Sequence, residues 1–474
     1  MSNKRESISR REFLRLAGVG AAGLAAGPLL SSCAPKPKPT AVPTEAVVAE
    51  PTAVPTPVPP TAVPVEKAKV VWWTEATEES IQNALVDLFV KPFNESHEAV
   101  ELELLFEAAL VEKVKTAVAG GGGPDIIETA GPTVNIEFYN AGYAYELDAL
   151  ADKYGWREIM HPWAIANGTT QGKLISVQLT QETMMMVYNK SLLQEKGWQL
   201  PTTPNELAVL ADKCLADGII PYASFHGWPL YQSVIWNDYA SALSVYKWLT
   251  NQIPFTSEEF IGAADYFKMM IDEQWLGDKV WDMGFGDEWA LLSTGKALMK
   301  MDGSWAFKTG AEAFKDFEWD VAPLPNLRDG ITHTWQIGSG ESLSISADSK
   351  APEAAGEVLN FIYADPKRAG QIMAVHPGEW VVPIMLSDAD IPDTLDPRQR
   401  QIIVWMNEAG AENKIGYLTW SSWPPLTLGI SMDLADRQAS GEVSSKDYCT
   451  QIQTQFEEES AAGSVLGIPP TYGA

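Results

Sequence analysis

Residues 179–190, LTQETMMMVYNK, hold a short apolar run, Met184 to Tyr188, closed on both sides by polar residues. A run this short with polar boundaries predicts a buried strand rather than a helix. It separates two stretches in which strand and helix periods alternate. We therefore expect it to carry the chain from one lobe to the other and to floor a ligand cleft. Ahead of it, residues 69–73 (KVVWW), 100–106 and 125–128 read as strands, and residues 80–93 and 111–119 have helical spacing. That β-α-β-α-β order predicts a mostly parallel sheet with helices on its faces. Ligands of such sheets bind outside the carboxyl ends of the strands, which selects residues 72–77 and 128–133.

Beyond the apolar run, Thr203, Pro204 and Glu206 make a helix start, with Thr203 as N-cap and Pro204 in the first turn. Thr256 to Glu259 repeats the capping pattern ahead of a helix over 260–274. Residues 287–294 predict a helix, 296–301 a strand, 302–307 a turn into another helix, and 339–346 a strand. Helices follow over 352–363 and 366–375, and residues 397–456 predict several more, broken at Pro424-Pro425 and Gly441. The glycine run 120–123 is no phosphate loop: it lacks Gly-Lys-Ser/Thr and leads into a strand rather than out of one. It ends the preceding helix and makes the turn.

At 474 residues the chain exceeds one small domain, and two lobes are expected. A hydrophobic content of 46% is ample for a sizeable core. The net charge of −28 excludes nucleic acid as a partner, since that needs a basic footprint. It suits an extracellular protein kept dispersed by self-repulsion, expected to be monomeric. Eighteen tryptophans are scattered along the chain, so aromatic faces are available in both halves.

Residues 1–33 read as a targeting segment. Ser9-Arg10-Arg11-Glu12-Phe13-Leu14-Arg15 has the twin-arginine export pattern, followed by a weakly apolar Gly/Ala-rich run too short to span a bilayer comfortably. Leu30-Ser31-Ser32-Cys33 resembles a bacterial lipobox, which makes Cys33 the lipidated mature N-terminus. Lipid on Cys33 would hold the protein at the outer face of the cytoplasmic membrane. Residues 34–67, dense in Pro, Thr, Ala and Val, form an extended tether. Cys214 and Cys449 lie in helical segments, and their spacing leaves a disulfide open.

Several motifs in order then carry a resemblance: VVWWTEATEES, AVAGGGGPDIIETAG, Glu182 ahead of VYNKSLL, PTTPNEL, GKALMKMDGSWAF, VAPLPN and AGEVLNFIYADPKRAGQIM. Together the folded part resembles the family-1 extracellular solute-binding proteins of ABC importers, the group that includes maltose-binding protein. The resemblance implies an α/β fold of two discontinuous lobes, a hinge, and ligand capture in the interlobe cleft. One lobe would be 68–180 with 340–380, the other 185–336 with 383–474. The partners it implies are a sugar and the permease subunits of an ABC transporter.

A sugar offers apolar C–H faces, which aromatic rings cover, and a rim of hydroxyls, which carboxylates and amides bind. The residues the resemblance brings forward are Trp73, Glu75 and Thr77 in the first loop, Glu128, Glu182 on the crossing strand, His226, Trp228, Trp305, Trp335 and Trp380. Either Trp420 or Trp423 would be the C-terminal stacking position. Thr129 stands where maltose-binding protein has a stacking Trp, so the ligand is not expected to be held as maltodextrin is. Paired carboxylates in an aromatic cleft also describe glycosidases. No Ser/His/Asp signature occurs, and His97, His161, His226, His333 and His376 are dispersed without metal-ligand spacing. No enzymatic activity, cofactor or metal is therefore expected. The acidic balance keeps a cationic solute such as a polyamine as the alternative ligand.

Overall fold

A computed structural model describes residues 67–76, 79–224, 229–284, 286–307, 310, 317–375, 381–387 and 389–474. The signal segment with Cys33, the tether to residue 66, and Thr77, His226, Trp228 and Trp380 lie outside the described residues.

Thirteen strands are assigned among the described residues, and most fall in two sheets. The first sheet begins with β1 (Ala68–Thr74), β2 (Val100–Phe106) and β3 (Ile126–Thr129), all parallel, with β1 in the middle. Along β1 the side chains alternate: Val70, Trp72 and Thr74 are buried, while Trp73 points to the opposite face. Trp72 meets Phe89 edge-on at 5.6 Å in a core that also holds Leu85 and Phe93. The predicted helix over 80–93 is continuous from residue 79 to 96, with one π turn at Val86–Val90. Asn94 fixes it to β2, donating to the Leu102 carbonyl at 3.0 Å and accepting from the Leu102 amide at 2.7 Å.

A small hairpin of β4 (Thr169–Thr170) and β5 (Lys173–Leu174) precedes β6 (Val177–Gln178). β7 (Glu182–Asn189) then opens the second sheet, and all eight of its residues are buried. Its flanks are β9 (Ala297–Gly303), β10 (Trp319–Ala322) and β11 (Trp335–Gly338), all antiparallel to it. β8 (Ile220–Tyr222) lies parallel beside β9, and β13 (Ile415–Tyr417) parallel beside β11. The alternation of β7 explains its unbroken apolar run. Met184, Met186 and Tyr188 enter one core with Leu207, Trp236 and Trp248. Met185 and Val187 enter another with Trp289, Trp319 and Trp335. Burying each such side chain contributes roughly 1.5–3 kcal/mol, and the flexible thioethers fill the gaps between indoles.

β12 (Ser342–Ile345) belongs to the first sheet, antiparallel to both β3 and β6. The first sheet is therefore mixed rather than mostly parallel. Its late strand returns from the second sheet and arrives in the opposite direction. The strand predicted over 339–346 is correspondingly shorter, because residues 339–341 are spent on the crossing.

Thr203 caps the helix Pro204–Ala216 as expected, accepting from the Glu206 amide at 3.2 Å. Glu206 itself reaches the Thr202 amide at 2.8 Å. The helix Glu258–Asp272 starts after Ser257 without a side-chain cap, so the expected repeat of the capping pattern is absent there. Cys214 and Cys449 are both buried and unpaired. Among the described residues no helix is long and apolar enough to cross a membrane.

Candidate functional site

Two strand-to-strand crossings run side by side between the sheets, residues 179–181 from β6 to β7 and residues 339–341 from β11 to β12. Thr180 joins them. Its hydroxyl accepts from the Gly340 amide at 3.0 Å and the Glu341 amide at 3.1 Å, and lies 3.2 Å from Ser339 Oγ. Ser421 holds the second crossing from below: its hydroxyl donates to the Ser339 carbonyl and accepts from the Ser339 amide, both at 2.7 Å. Gly338 leaves the space this needs, since a Cβ there would sit 2.3 Å from Ser421 Oγ. Small polar residues thus bind the two crossings into one hinge. Thr180 and Ser421 carry no signal of their own in the sequence; the only local sign of the crossing is the small-residue pair Ser339-Gly340.

Glu182 is the first residue of β7, opposite Gly338, and is buried. Its carboxylate lies over the Gly340 backbone, where a Cβ would come within 2.0 Å of Oε1. The Trp420 indole N–H donates to Glu182 Oε2 at 3.3 Å. Trp305 meets Trp420 edge-to-face, with ring centroids 5.6 Å apart at 69°. The Trp305 ring folds back over Gly303, the last residue of β9, where a Cβ would collide with it at 2.1 Å. Both indoles are only partly buried. Glu182, Trp420 and Trp305 therefore form one corner beside the hinge, with Trp420 bonded to the carboxylate through its indole N–H and met by Trp305 edge-to-face. Such a corner can cover an apolar ring face and accept a hydrogen bond at its edge.

The loop after β3 meets this corner from the first sheet. Gly131, at φ +88°, lets the loop after β3 approach, since a Cβ would lie 3.1 Å from the Trp420 carbonyl. Thr133 Oγ1 donates to the same carbonyl at 3.1 Å. Glu128 lies inside the strand ends. It accepts from Trp72 Nε1 at 3.0 Å, Thr74 Oγ1 at 3.1 Å and the Glu75 amide at 3.3 Å. Burial pushes its carboxyl up to about 7 despite these three donors. Glu75 is exposed on the loop that Glu128 holds. Thr129 is buried, donating to the Gly131 carbonyl and accepting from Asn135, and so shapes this loop from within.

Other residues from the sequence reading stand elsewhere. Trp73 packs beside Leu110, Val114 and Ile127 on the far face of the first sheet. Trp335 stacks on Trp405 at 4.8 Å and 19°, at the end of β11 away from the hinge. Trp423 is wholly buried, 4.6 Å from Trp248 and 5.4 Å from Phe255, and has no free face. Of the two candidates for the C-terminal stacking position, Trp420 is at the corner and Trp423 is in the core. Beneath β9, Lys300 is buried between Glu288 (2.8 Å) and Asp302, with its ammonium 4.0 Å over the Trp289 ring. Among the described residues no group of three or more His, Cys, Asp or Glu could hold a metal ion.

A hinge of paired crossings between two mixed sheets, with an aromatic and acidic corner beside it, is the architecture of a two-lobed binding protein. The chain belongs to the bacterial extracellular solute-binding protein family, whose model matches residues 75–369. It is 25% identical over 404 residues to a probable sugar-binding periplasmic protein of Brucella suis, covering 81% of this chain and 90% of that one. It is 24% identical over 291 residues to the multiple sugar-binding protein of Streptococcus mutans, covering 59% and 68%. A solved structure of a cyclic α-maltosyl-1,6-maltose binding protein from Arthrobacter globiformis superposes with TM-score 0.66 at 18% identity, covering 83% and 98%. The periplasmic-binding-protein fold is thereby shown, and the family is one of binding proteins rather than enzymes.

Proposed function

We propose that this protein captures a carbohydrate in the cleft between its lobes and delivers it to the permease of an ABC importer. The observation that carries this reading is the Trp305–Glu182–Trp420 corner at the hinge. Its two indole faces suit the C–H face of a pyranose, and its carboxylate suits a hydroxyl. The names of the curated relatives support the same ligand class. Glu75 is a further polar contact in this reading, and Glu128 acts through it by fixing the first loop. Thr77, His226, Trp228 and Trp380 remain proposed contacts of the same cleft. The lobes divide at 68–180 with 340–380 and 185–336 with 383–474, so closure turns about Thr180 and Ser339. Lipid on Cys33 and the tether after it keep the protein at the outer face of the cytoplasmic membrane, working as a monomer.

The test is a titration of the purified protein with a panel of mono-, di- and oligosaccharides, followed by tryptophan fluorescence. A saturable change with one saccharide, lost in Trp305→Ala, supports the proposal. Silence with every sugar and a response to spermidine overturns it in favour of a cationic solute held by Glu182 and Glu75.

A further inference from the structure

Lys300 and Asp302 sit two residues apart on β9, opposite Val187 and Met185 of β7. By the alternation of the strands they face the core that holds Trp289, Trp319 and Trp335. Both are buried, and so is Glu288, which meets Lys300 from the helix Asp287–Ser293. Replacing a buried ion pair by well-packed apolar residues is often neutral or stabilising. Stability alone therefore does not call for charged side chains at 300 and 302.

Asp302 leads directly into the turn that carries Trp305. One of its carboxylate oxygens holds the Lys300 ammonium, and the other accepts from the Gly303 amide at 2.8 Å. The next residue is held from β7. The Ser304 amide donates to the Thr183 carbonyl at 3.0 Å, and Ser304 Oγ accepts from the Thr183 amide at 3.4 Å. Trp305 then folds back over Gly303, where its ring leaves no room for a Cβ. The ring therefore follows the Gly303 backbone, and that backbone follows Asp302. Thr183 is the neighbour of Glu182, so the same turn is registered against the strand that carries the carboxylate of the corner.

We infer that Asp302 is a positioning residue for the ligand corner: with one oxygen on Lys300 and the other on the Gly303 amide, it fixes the turn that aims the Trp305 ring. The inference rests on the reading of Trp305 as a saccharide contact and adds the residue that presents it. Both oxygens of the carboxylate are acceptors in use. A side-chain amide has one acceptor oxygen and one donor nitrogen. Asp302→Asn therefore sets its NH2 group against either the ammonium or the Gly303 N–H, and the turn must shift. Glu288 supplies a matched control. It too accepts on both oxygens, from Lys300 and from the Gly286 amide, each at 2.8 Å, but its second donor lies in a different loop.

Asp302→Asn and Glu288→Gln each leave one carboxylate on Lys300, so both should fold, with melting temperatures lowered alike. Only Asp302→Asn should change the near-ultraviolet circular dichroism of Trp305 in the ligand-free protein. That change should lose most of its size when the two proteins compared both carry Trp305→Ala. Titrated with the saccharide that wild type binds, Asp302→Asn should weaken affinity about tenfold, and Glu288→Gln should leave it unchanged. Equal loss of affinity in both variants overturns the inference. So does unchanged dichroism in Asp302→Asn, or a difference that persists at full size without Trp305. If no saccharide binds wild type, the sugar reading fails, and the dichroism comparison still decides whether Asp302 sets Trp305.

Discussion

The Trp420 indole donates to the Glu182 carboxylate at 3.3 Å although 238 residues separate them in sequence. Glu182 opens the strand that follows the first crossing, and Trp420 lies on a short helix, Thr419–Ser422, that Ser421 ties to the return crossing. The hydrogen bond thus orients a carboxylate at the point where the lobes hinge. Hydrogen bonds to charged groups contribute about 1.5–3 kcal/mol. Glu182→Gln should therefore weaken saccharide binding by roughly 10- to 100-fold, with little change in unfolding midpoint. Calorimetry and thermal melts on the same preparation check both halves. Unchanged affinity would remove Glu182 from the site.

Gly340 offers a steric version of the same test. A Cβ there would lie 2.0 Å from Glu182 Oε1, so Gly340→Ala must displace the carboxylate or open the crossing. The expected outcome is a loss of affinity comparable to Glu182→Gln. Gly338→Ala should instead act on stability, because its Cβ would meet Ser421 Oγ and Cβ at 2.3 and 2.6 Å. Affinity and denaturant midpoint for the two variants separate the effects.

Trp420 and Trp423 should behave oppositely on truncation. Trp423 is fully enclosed by Trp236, Trp248 and Phe255. Trp423→Ala should cost about 3–5 kcal/mol of stability, as large core deletions do. Trp420→Ala, at a partly buried ring, should cost much less and should abolish most of the ligand-induced fluorescence change. Equal destabilisation by both would contradict the placement of Trp420 at the corner.

Much of this organisation was legible in the sequence, and the gaps have physical causes. That β7 is a strand could be read because burial on both faces demands uninterrupted apolar residues, whereas the crossing itself falls just ahead of the Met-rich run, at residues 179–181. Glu128 was legible as a residue at a strand end. Its inward orientation depends on Trp72 and Thr74, whose side chains converge only once β1 and β3 are paired. Trp73 and Trp335 could not be placed, since an indole pattern does not say which face of a sheet it covers. The Thr180–Ser339–Ser421 cluster escaped because its members carry no chemistry of their own, and only the folded crossings bring them together. The antiparallel return of β12 was missed because strand direction after a crossing is a property of topology rather than of local sequence.

Lys300 provides a test of the buried charges beneath β9. It is 1% exposed, as are both carboxylates it serves, Glu288 and Asp302. Burial raises the Asp302 carboxyl while the Lys300 charge lowers it. Lys300→Met would leave two carboxylates buried without a cation, a change that typically costs about 3–5 kcal/mol. Denaturation at neutral pH should show that loss. Lowering the pH should recover part of it, because protonating the carboxylates removes the uncompensated charge. A stability for Lys300→Met equal to wild type would mean that the triad is neutral overall.

Glu128 should leave a signature in the pH dependence of stability. Its folded-state carboxyl is raised from 4.5 to about 7, by burial first, against the three donors that favour the charged form. Between these two values the folded state holds a proton that the unfolded chain has released. Stability contributed through this group is therefore present at low pH and is lost as pH rises toward 7. The slope approaches about 1.4 kcal/mol per pH unit where the two states differ by a full proton. Above 7 both states are ionised and the contribution is flat. Glu128→Gln cannot ionise, so its stability relative to wild type should improve from pH 5 to pH 8 by about 2–3 kcal/mol. Urea denaturation of both proteins at these two pH values measures the difference directly. If the gap between them stays constant, Glu128 titrates at its ordinary value and its carboxylate is ionised at neutral pH beneath the loop that carries Glu75.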